Sequence, residues 1–159
     1  MSTAPHRTAT VTADLAVRRY DLGGTGGPDP DGPRLSFDGA LLGAATSESD
    51  LHRGHDGRTF APKGVKCSAC RWLTVAIYAT SHGYVVHTVG ASDVPDETDY
   101  EKITETASAF DVVELLTVRR ARHGSPVETF VPPQYARALA QAASLDDGIR
   151  EAYVNRAVA

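Results

Sequence analysis

The run Trp72-Leu73-Thr74-Val75-Ala76-Ile77-Tyr78-Ala79-Thr80-Ser81-His82-Gly83-Tyr84-Val85-Val86-His87-Thr88-Val89 decides how this chain folds. Its two halves are dominated by β-branched and aromatic residues, the set that fits a pleated, half-buried surface. Between them Ser81-His82-Gly83 supplies small and turn-forming residues, so the whole reads as strand, tight turn, strand. Outward from it, Tyr100 to Thr106 alternates around Ile103 and predicts a further strand. On the N-terminal side, Arg34 to Ala45 carries Phe37, Leu41 and Leu42, and Asp38-Gly39 in its middle reads as a turn between two short strands. Together these segments predict a curled antiparallel meander.

Helices follow the strands. Ser108 with Asp111 has the spacing of a capping box, and Ala109, Val112, Val113 and Leu116 recur at helical spacing, predicting a helix from about Ala109 to Thr117. Val127 to Val131 reads as a short strand. Pro132-Pro133 then suits a first helical turn, where a missing N–H costs nothing. Tyr135, Ala138, Leu139 and Ala142 form one apolar face; Ser144 with Asp147 repeats the capping pattern, and Leu145, Ile149, Ala152 and Tyr153 form the next. The C-terminus is thus expected to be an αα-hairpin.

Residues 1–33 contrast with this. Gly23, Gly24, Gly26, Gly27, Pro28, Pro30, Gly32 and Pro33 crowd into a stretch that has little apolar surface to bury, so 1–33 is expected to be a flexible N-terminal arm and Gly/Pro linker ahead of one domain, 34–159. Within the arm, Leu15, Val17, Arg18, Arg19 and Tyr20 read as an edge strand or a partner-binding peptide. With 159 residues, 42% of them hydrophobic and few aromatic, the chain suits a single domain of modest core. No apolar run has the length of a membrane span, and Met1 to Thr12 lacks the apolar core of a secretory signal, so the expected location is the cytoplasm.

Between the strands lies the segment that carries chemistry: His52-Arg53-Gly54-His55, eleven intervening residues, then Cys67-Ser68-Ala69-Cys70. Two residues between the members of each pair allow both side chains of a tight turn to converge on one ion, and the connection is long enough to complete a tetrahedron. Thiolate and imidazole are zinc ligands, whereas calcium and magnesium require oxygen. The protein's only two cysteines both stand in this pattern, which excludes a disulfide framework. Gly64 ahead of Cys67 gives a knuckle its flexible backbone, and Trp72 is the first large residue after it. Metal binding would also order a long polar stretch, Thr46 to Lys66, that has no period of its own.

Other readings compete. A thioredoxin-type redox pair belongs at a helix N-terminus, and this one precedes a strand. Two buried thiols beside unrelated histidines are a plainer alternative. A zinc nucleobase deaminase requires Glu two places after its His and Pro before its first Cys; here neither His52 nor His55 is followed by such a Glu, and Lys66 precedes Cys67. A metal-dependent hydrolase or nuclease, with His52, His55 and one cysteine on the ion and Asp56 handling protons, requires an open coordination position; His82 and His87 are further available histidines, and His87, alternating within a strand, reads as a structural one.

The pairs and the strands after them resemble the zinc knuckle that leads into a β-hairpin in zinc-ribbon and treble-clef modules. The resemblance spans about His52 to Val89 and implies a structural zinc held by His52, His55, Cys67 and Cys70; those modules more often use four cysteines. In style, the short Ala- and Arg-rich chain is similar to small proteins of actinobacteria and their phages. The expected fold class is therefore α+β: a small antiparallel β-meander with a zinc knuckle, one helix after the strands and a C-terminal αα-hairpin.

Charge bounds the partners. A formal charge of −4 argues against a surface that attracts nucleic acid throughout. Arg119, Arg120, Arg122 and His123 are the densest basic cluster, expected as a solvated helix end or, alternatively, a phosphate-binding patch for a nucleic acid. Asp93, Asp96, Glu97, Asp99 and Glu101 read as a solvated acidic loop. Phosphate loops, nucleophile elbows and paired carboxylates are absent from the sequence. The expectation is a zinc-binding module that is not an enzyme and binds a macromolecule, a protein before a nucleic acid.

Overall fold

The computed structural model describes residues 15–24, 31–46, 52–53, 60–61, 71–92, 96, 98–121 and 126–157, of 52–53, 60–61, 71 and 157 the backbone alone. It is an α+β protein: a five-stranded antiparallel sheet, one helix after its strands and two more at the C-terminus.

The sheet grows from the hairpin read in the sequence. β5 (Arg71–Thr80) and β6 (Gly83–Ser92) pair from Arg71↔Ser92 down to Thr80↔Gly83, leaving Ser81 and His82 as the turn. Gly83 has φ +140°, and a Cβ there would meet the Thr106 carbonyl oxygen at 2.3 Å, so the turn requires glycine. The Thr80 hydroxyl braces it by donating to the Gly83 carbonyl and accepting from the His82 N–H, each at 3.2 Å. β7 (Tyr100–Thr106) adds to the far side of β6, and β2 (Arg34–Thr46) to the far side of β5. β1 (Arg18–Gly23) pairs with the first half of β2, giving the order β1-β2-β5-β6-β7.

β2 corrects one expectation. Asp38-Gly39 is no turn, because Arg34–Thr46 is one continuous strand that changes partner at Gly39, pairing there with Arg18 on one side and Thr80 on the other. Glycine serves a close crossing: a Cβ on Gly39 would lie 2.5 Å from the Ala79 carbonyl oxygen. Beyond it the register shifts between Leu41 and Gly43, a bulge that increases local twist. The β1–β2 end consequently bends over the sheet, and the outer strands β1 and β7 approach each other.

The curl gives the sheet two buried faces. On one, Leu42, Val75, Ile77, Tyr84 and Val86 pack against Val112, Val113 and Leu116 of the first helical segment and Ala138, Leu139, Ala142 and Ile149 of the C-terminal pair. On the inner face, Phe37, Ala76, Tyr78 and Val85 gather Tyr20, Leu22, Leu35 and Ile103 around them. Tyr20, Phe37 and Tyr78 form a ring cluster with centroids 4.6 to 5.5 Å apart. Such aromatic contacts add about 1 kcal/mol each beyond the area they bury.

α1 (Ala109–Leu115) starts as its sequence predicts, with the Ser108 hydroxyl accepting from the Asp111 N–H at 3.1 Å and donating to the Asp111 carboxylate at 2.7 Å. α2 (Pro133–Leu145) lies across β2, and a Cβ on Gly43 would come within 2.2 Å of the Ala138 carbonyl oxygen. Next to the bulge, the Ala44 N–H donates to the Gln141 side chain at 3.0 Å, and Arg137 donates to the Thr46 carbonyl at 2.8 Å, so helix side chains satisfy β2 backbone groups. α3 (Asp147–Ala157) completes the αα-hairpin. Its cap is Asp146, whose carboxylate accepts the Ile149 N–H at 2.8 Å; Ser144, expected in that role, donates to the Gln141 carbonyl within α2 instead. Two small ladders stand apart from the sheet: β3 (His52–Arg53) with β4 (Phe60–Ala61), and β8 (Val118–Arg120) with β9 (Glu128–Phe130).

Candidate functional site

The segment that holds the expected zinc ligands spans a short gap. The chain leaves the sheet at Thr46 on β2 and returns at Arg71 on β5, and these strands are hydrogen-bonded neighbours with Thr46 opposite Thr74, their hydroxyls 3.0 Å apart. Within the excursion His52 pairs with Ala61 and Arg53 with Phe60, so its first half turns back on itself. His52 is therefore placed on a short strand by its backbone; His55, Cys67 and Cys70 lie outside the described residues, as does Asp56. Among the described residues no group of three or more His, Cys, Asp or Glu side chains could hold a metal ion. Two thiols and two imidazoles nevertheless make a donor set that suits zinc.

The basic cluster is divided. Arg119 and Arg120 sit on strand β8, where successive side chains point to opposite faces, instead of at a solvated helix end. Arg119 meets the Glu114 carboxylate at 3.3 Å, and the Arg120 guanidinium lies 5.7 Å from the centre of the Phe130 ring. Glu114 also pairs with Arg156 of α3, tying β8, α1 and α3 together. Arg122 and His123 lie outside the described residues.

Two buried polar pairs escaped the sequence reading. Glu101, expected in a solvated acidic loop, is on β7 with 2% of its side chain exposed, and its Oε1 is 2.6 Å from Nε2 of His87, whose side chain is 16% exposed. Glu101 Oε2 is buried and has no hydrogen-bond partner among the described residues. Strand alternation was the available signal, since Glu101 shares its face of β7 with Ile103, and Ile103 stands opposite His87. Tyr84 and Asp146 form the second pair: the hydroxyl donates to the carboxylate oxygens at 3.1 and 3.2 Å. Burial, followed by the charge and hydrogen bond of Asp146, holds the Tyr84 pKa well above its ordinary value. Both partners face the helix–sheet core, and Asp146 also caps α3, so this pair is structural.

No family model, curated protein or solved structure matches this chain. No helix among the described residues is long and apolar enough to cross a membrane.

Proposed function

We propose that this chain is a non-enzymatic zinc-stapled module that binds a macromolecular partner, a protein, in a regulatory or accessory role in the cytoplasm. The observation that carries the reading is the excursion between Thr46 and Arg71, which begins and ends on adjacent strands at one end of the sheet. A long polar loop in that position has its ends already joined by the β2–β5 ladder. Its sequence is polar and has no period of its own, and one ion bound by His52, His55, Cys67 and Cys70 would provide a cross-link. A set of four protein ligands closes the coordination sphere and leaves no position for a reacting water, which favours a structural over a catalytic metal.

Protein is favoured over nucleic acid by charge. The chain carries −4 overall, Arg119 is already beside a carboxylate, and Arg119 and Arg120 face apart on one strand, a poor arrangement for tracking a phosphate backbone. Metal analysis of the purified protein tests the staple: one zinc per chain is expected, with a lower Tm after chelation. A metal-free preparation, folded and indifferent to chelator, refutes it.

A further inference from the structure

Among the described residues the β8–β9 ribbon stands outside both core clusters and is tied to α1 through Arg119 and Glu114. All six of its residues are exposed, and among the described residues the two strands pair only with each other, each leaving one backbone edge open there. A lone two-stranded ribbon is marginal in water, and an open edge is where a sheet takes up another strand. Apolar surface accompanies it: Val118 is 37% exposed, Phe130 39% and neighbouring Val127 60%.

The two edges differ in charge. β8 reads Val118-Arg119-Arg120, and β9 reads Glu128-Thr129-Phe130. We propose that the outer edge of β8 docks an extended acidic segment of a partner protein as a third strand. In that segment two consecutive carboxylates stand opposite Arg120 and Arg119, and an apolar residue stands opposite Val118. This rests on the protein-binding reading above and gives it a surface.

The consecutive pair follows from strand period. Arg119 and Arg120 point to opposite faces, so acidic residues at alternate positions would meet only one of them. Both guanidinium groups are held near the ribbon, Arg119 by Glu114 with 69% of its side chain still exposed and Arg120 by the Phe130 ring, so little freedom is lost on pairing. The β9 edge suits such a segment less, because Glu128 would oppose it. A second copy docking about Arg119 on the same edge would set Arg119 against itself, and like charges directly opposite are destabilising.

The experiment uses the full chain with its metal content measured and its fold checked by circular dichroism. Three labelled probes are titrated: a short peptide containing Glu-Glu-Val, the same peptide with Lys-Lys-Val, and a single-stranded oligonucleotide. The Glu-Glu-Val peptide binds, its affinity falls about tenfold or more in Arg120→Glu, and the Lys-Lys-Val peptide then gains affinity for that variant. Thr129→Ser, on the other strand, leaves binding unchanged. The proposal is overturned if the folded protein ignores the acidic peptide, if Arg120→Glu binds it as well as the parent does, or if the oligonucleotide binds more tightly. Self-association of the free protein that Arg120→Glu abolishes would also overturn it, in favour of a second copy. Failure with the zinc bound leaves the staple intact; binding by a protein that holds no zinc refutes the staple and leaves the docking edge standing.

Discussion

Tyr84 and Asp146, 62 residues apart, are joined through the core: the hydroxyl at the start of β6 donates to both oxygens of the carboxylate that caps α3. Asp146 is 1% exposed and Tyr84 4%, so neither group has water as an alternative partner. One buried carboxylate thus fixes both the break between α2 and α3 and the place where α3 meets the sheet.

Loss of either partner therefore costs stability unequally. Tyr84→Phe leaves Asp146 bonded to the Ile149 N–H and is expected to cost about 1 to 2 kcal/mol. Asp146→Ala removes the cap and strands the Tyr84 hydroxyl, an expected loss of about 2 to 4 kcal/mol. Urea denaturation of the two variants measures the order; a larger loss in Tyr84→Phe would contradict it.

The same pair predicts alkaline sensitivity. The folded pKa of Tyr84 is raised above the ordinary 10.0, so above that pH the unfolded chain releases a proton that the folded chain keeps. The contribution is whole below pH 10.0 and is lost as the pH climbs towards the folded value, by up to about 1.4 kcal/mol per pH unit. Tyr84→Phe should flatten the decline. Tyr78 and Tyr135, raised mainly by burial, keep their share, so the slope is reduced without being abolished.

Gly43 tests the seat of α2 on β2. A methyl group there would come within 2.2 Å of the Ala138 carbonyl oxygen and within 3.0 Å of the Ala142 nitrogen, both backbone atoms of a helix. Gly43→Ala is expected to destabilise the fold by about 2 to 4 kcal/mol, since the helix has to move as a body. Hydrogen exchange should report weakened protection of the amides of Ala44 and Ala142. Gly24→Ala is a poor control because of its positive φ, and Gly148→Ala, whose Cβ would find its nearest neighbour at 3.2 Å, is the milder comparison.

What the sequence revealed and what it concealed divide by range. The β5–β6 hairpin, β7 and the Ser108 cap were legible because turn chemistry, alternation and capping act within a few residues. Asp38-Gly39 has the composition of a turn, but whether glycine serves a turn or a crossing depends here on the Ala79 carbonyl, on another strand. Glu101 belongs to an acidic run in sequence and to an apolar face in space; its partner His87 is 14 residues away on a neighbouring strand. Arg119 and Arg120 looked like one patch because they are adjacent, and a strand separates adjacent residues. The metal constellation rests on spacing alone, which is why its test is chemical.

His87 and Glu101 should behave as a coupled unit. His87→Leu removes the one hydrogen-bond partner that a carboxylate 2% exposed has among the described residues, and is expected to cost about 3 to 5 kcal/mol. Replacing Glu101 as well removes the stranded polar group, so His87→Leu/Glu101→Leu should recover most of that loss and lie within about 1 to 2 kcal/mol of the parent. Denaturation of the two single variants and the double variant completes the cycle. Additive losses would mean that the pair is not energetically linked.

Trp72 offers a direct view of the proposed staple because it is the only tryptophan and follows Cys70 by two residues, at the start of the strand that forms the centre of the sheet. Half-buried in the folded chain, it stands opposite Ala91 on β6. If zinc on His52, His55, Cys67 and Cys70 holds the segment leading into β5, chelation should shift Trp72 emission to longer wavelength while the far-ultraviolet signal of the helices persists. The core of Val75, Ile77, Val112 and Leu139 lies further along the sheet. Cys70→Ser should reproduce the shift without chelator, and readdition of zinc should reverse it only in the parent chain. Metal affinity in such a site falls with acidity because both thiols and both imidazoles must lose protons to bind, so the emission change should appear on acidification as well. An emission spectrum unmoved by chelator and by Cys70→Ser would leave the cysteine pair without a structural duty at β5.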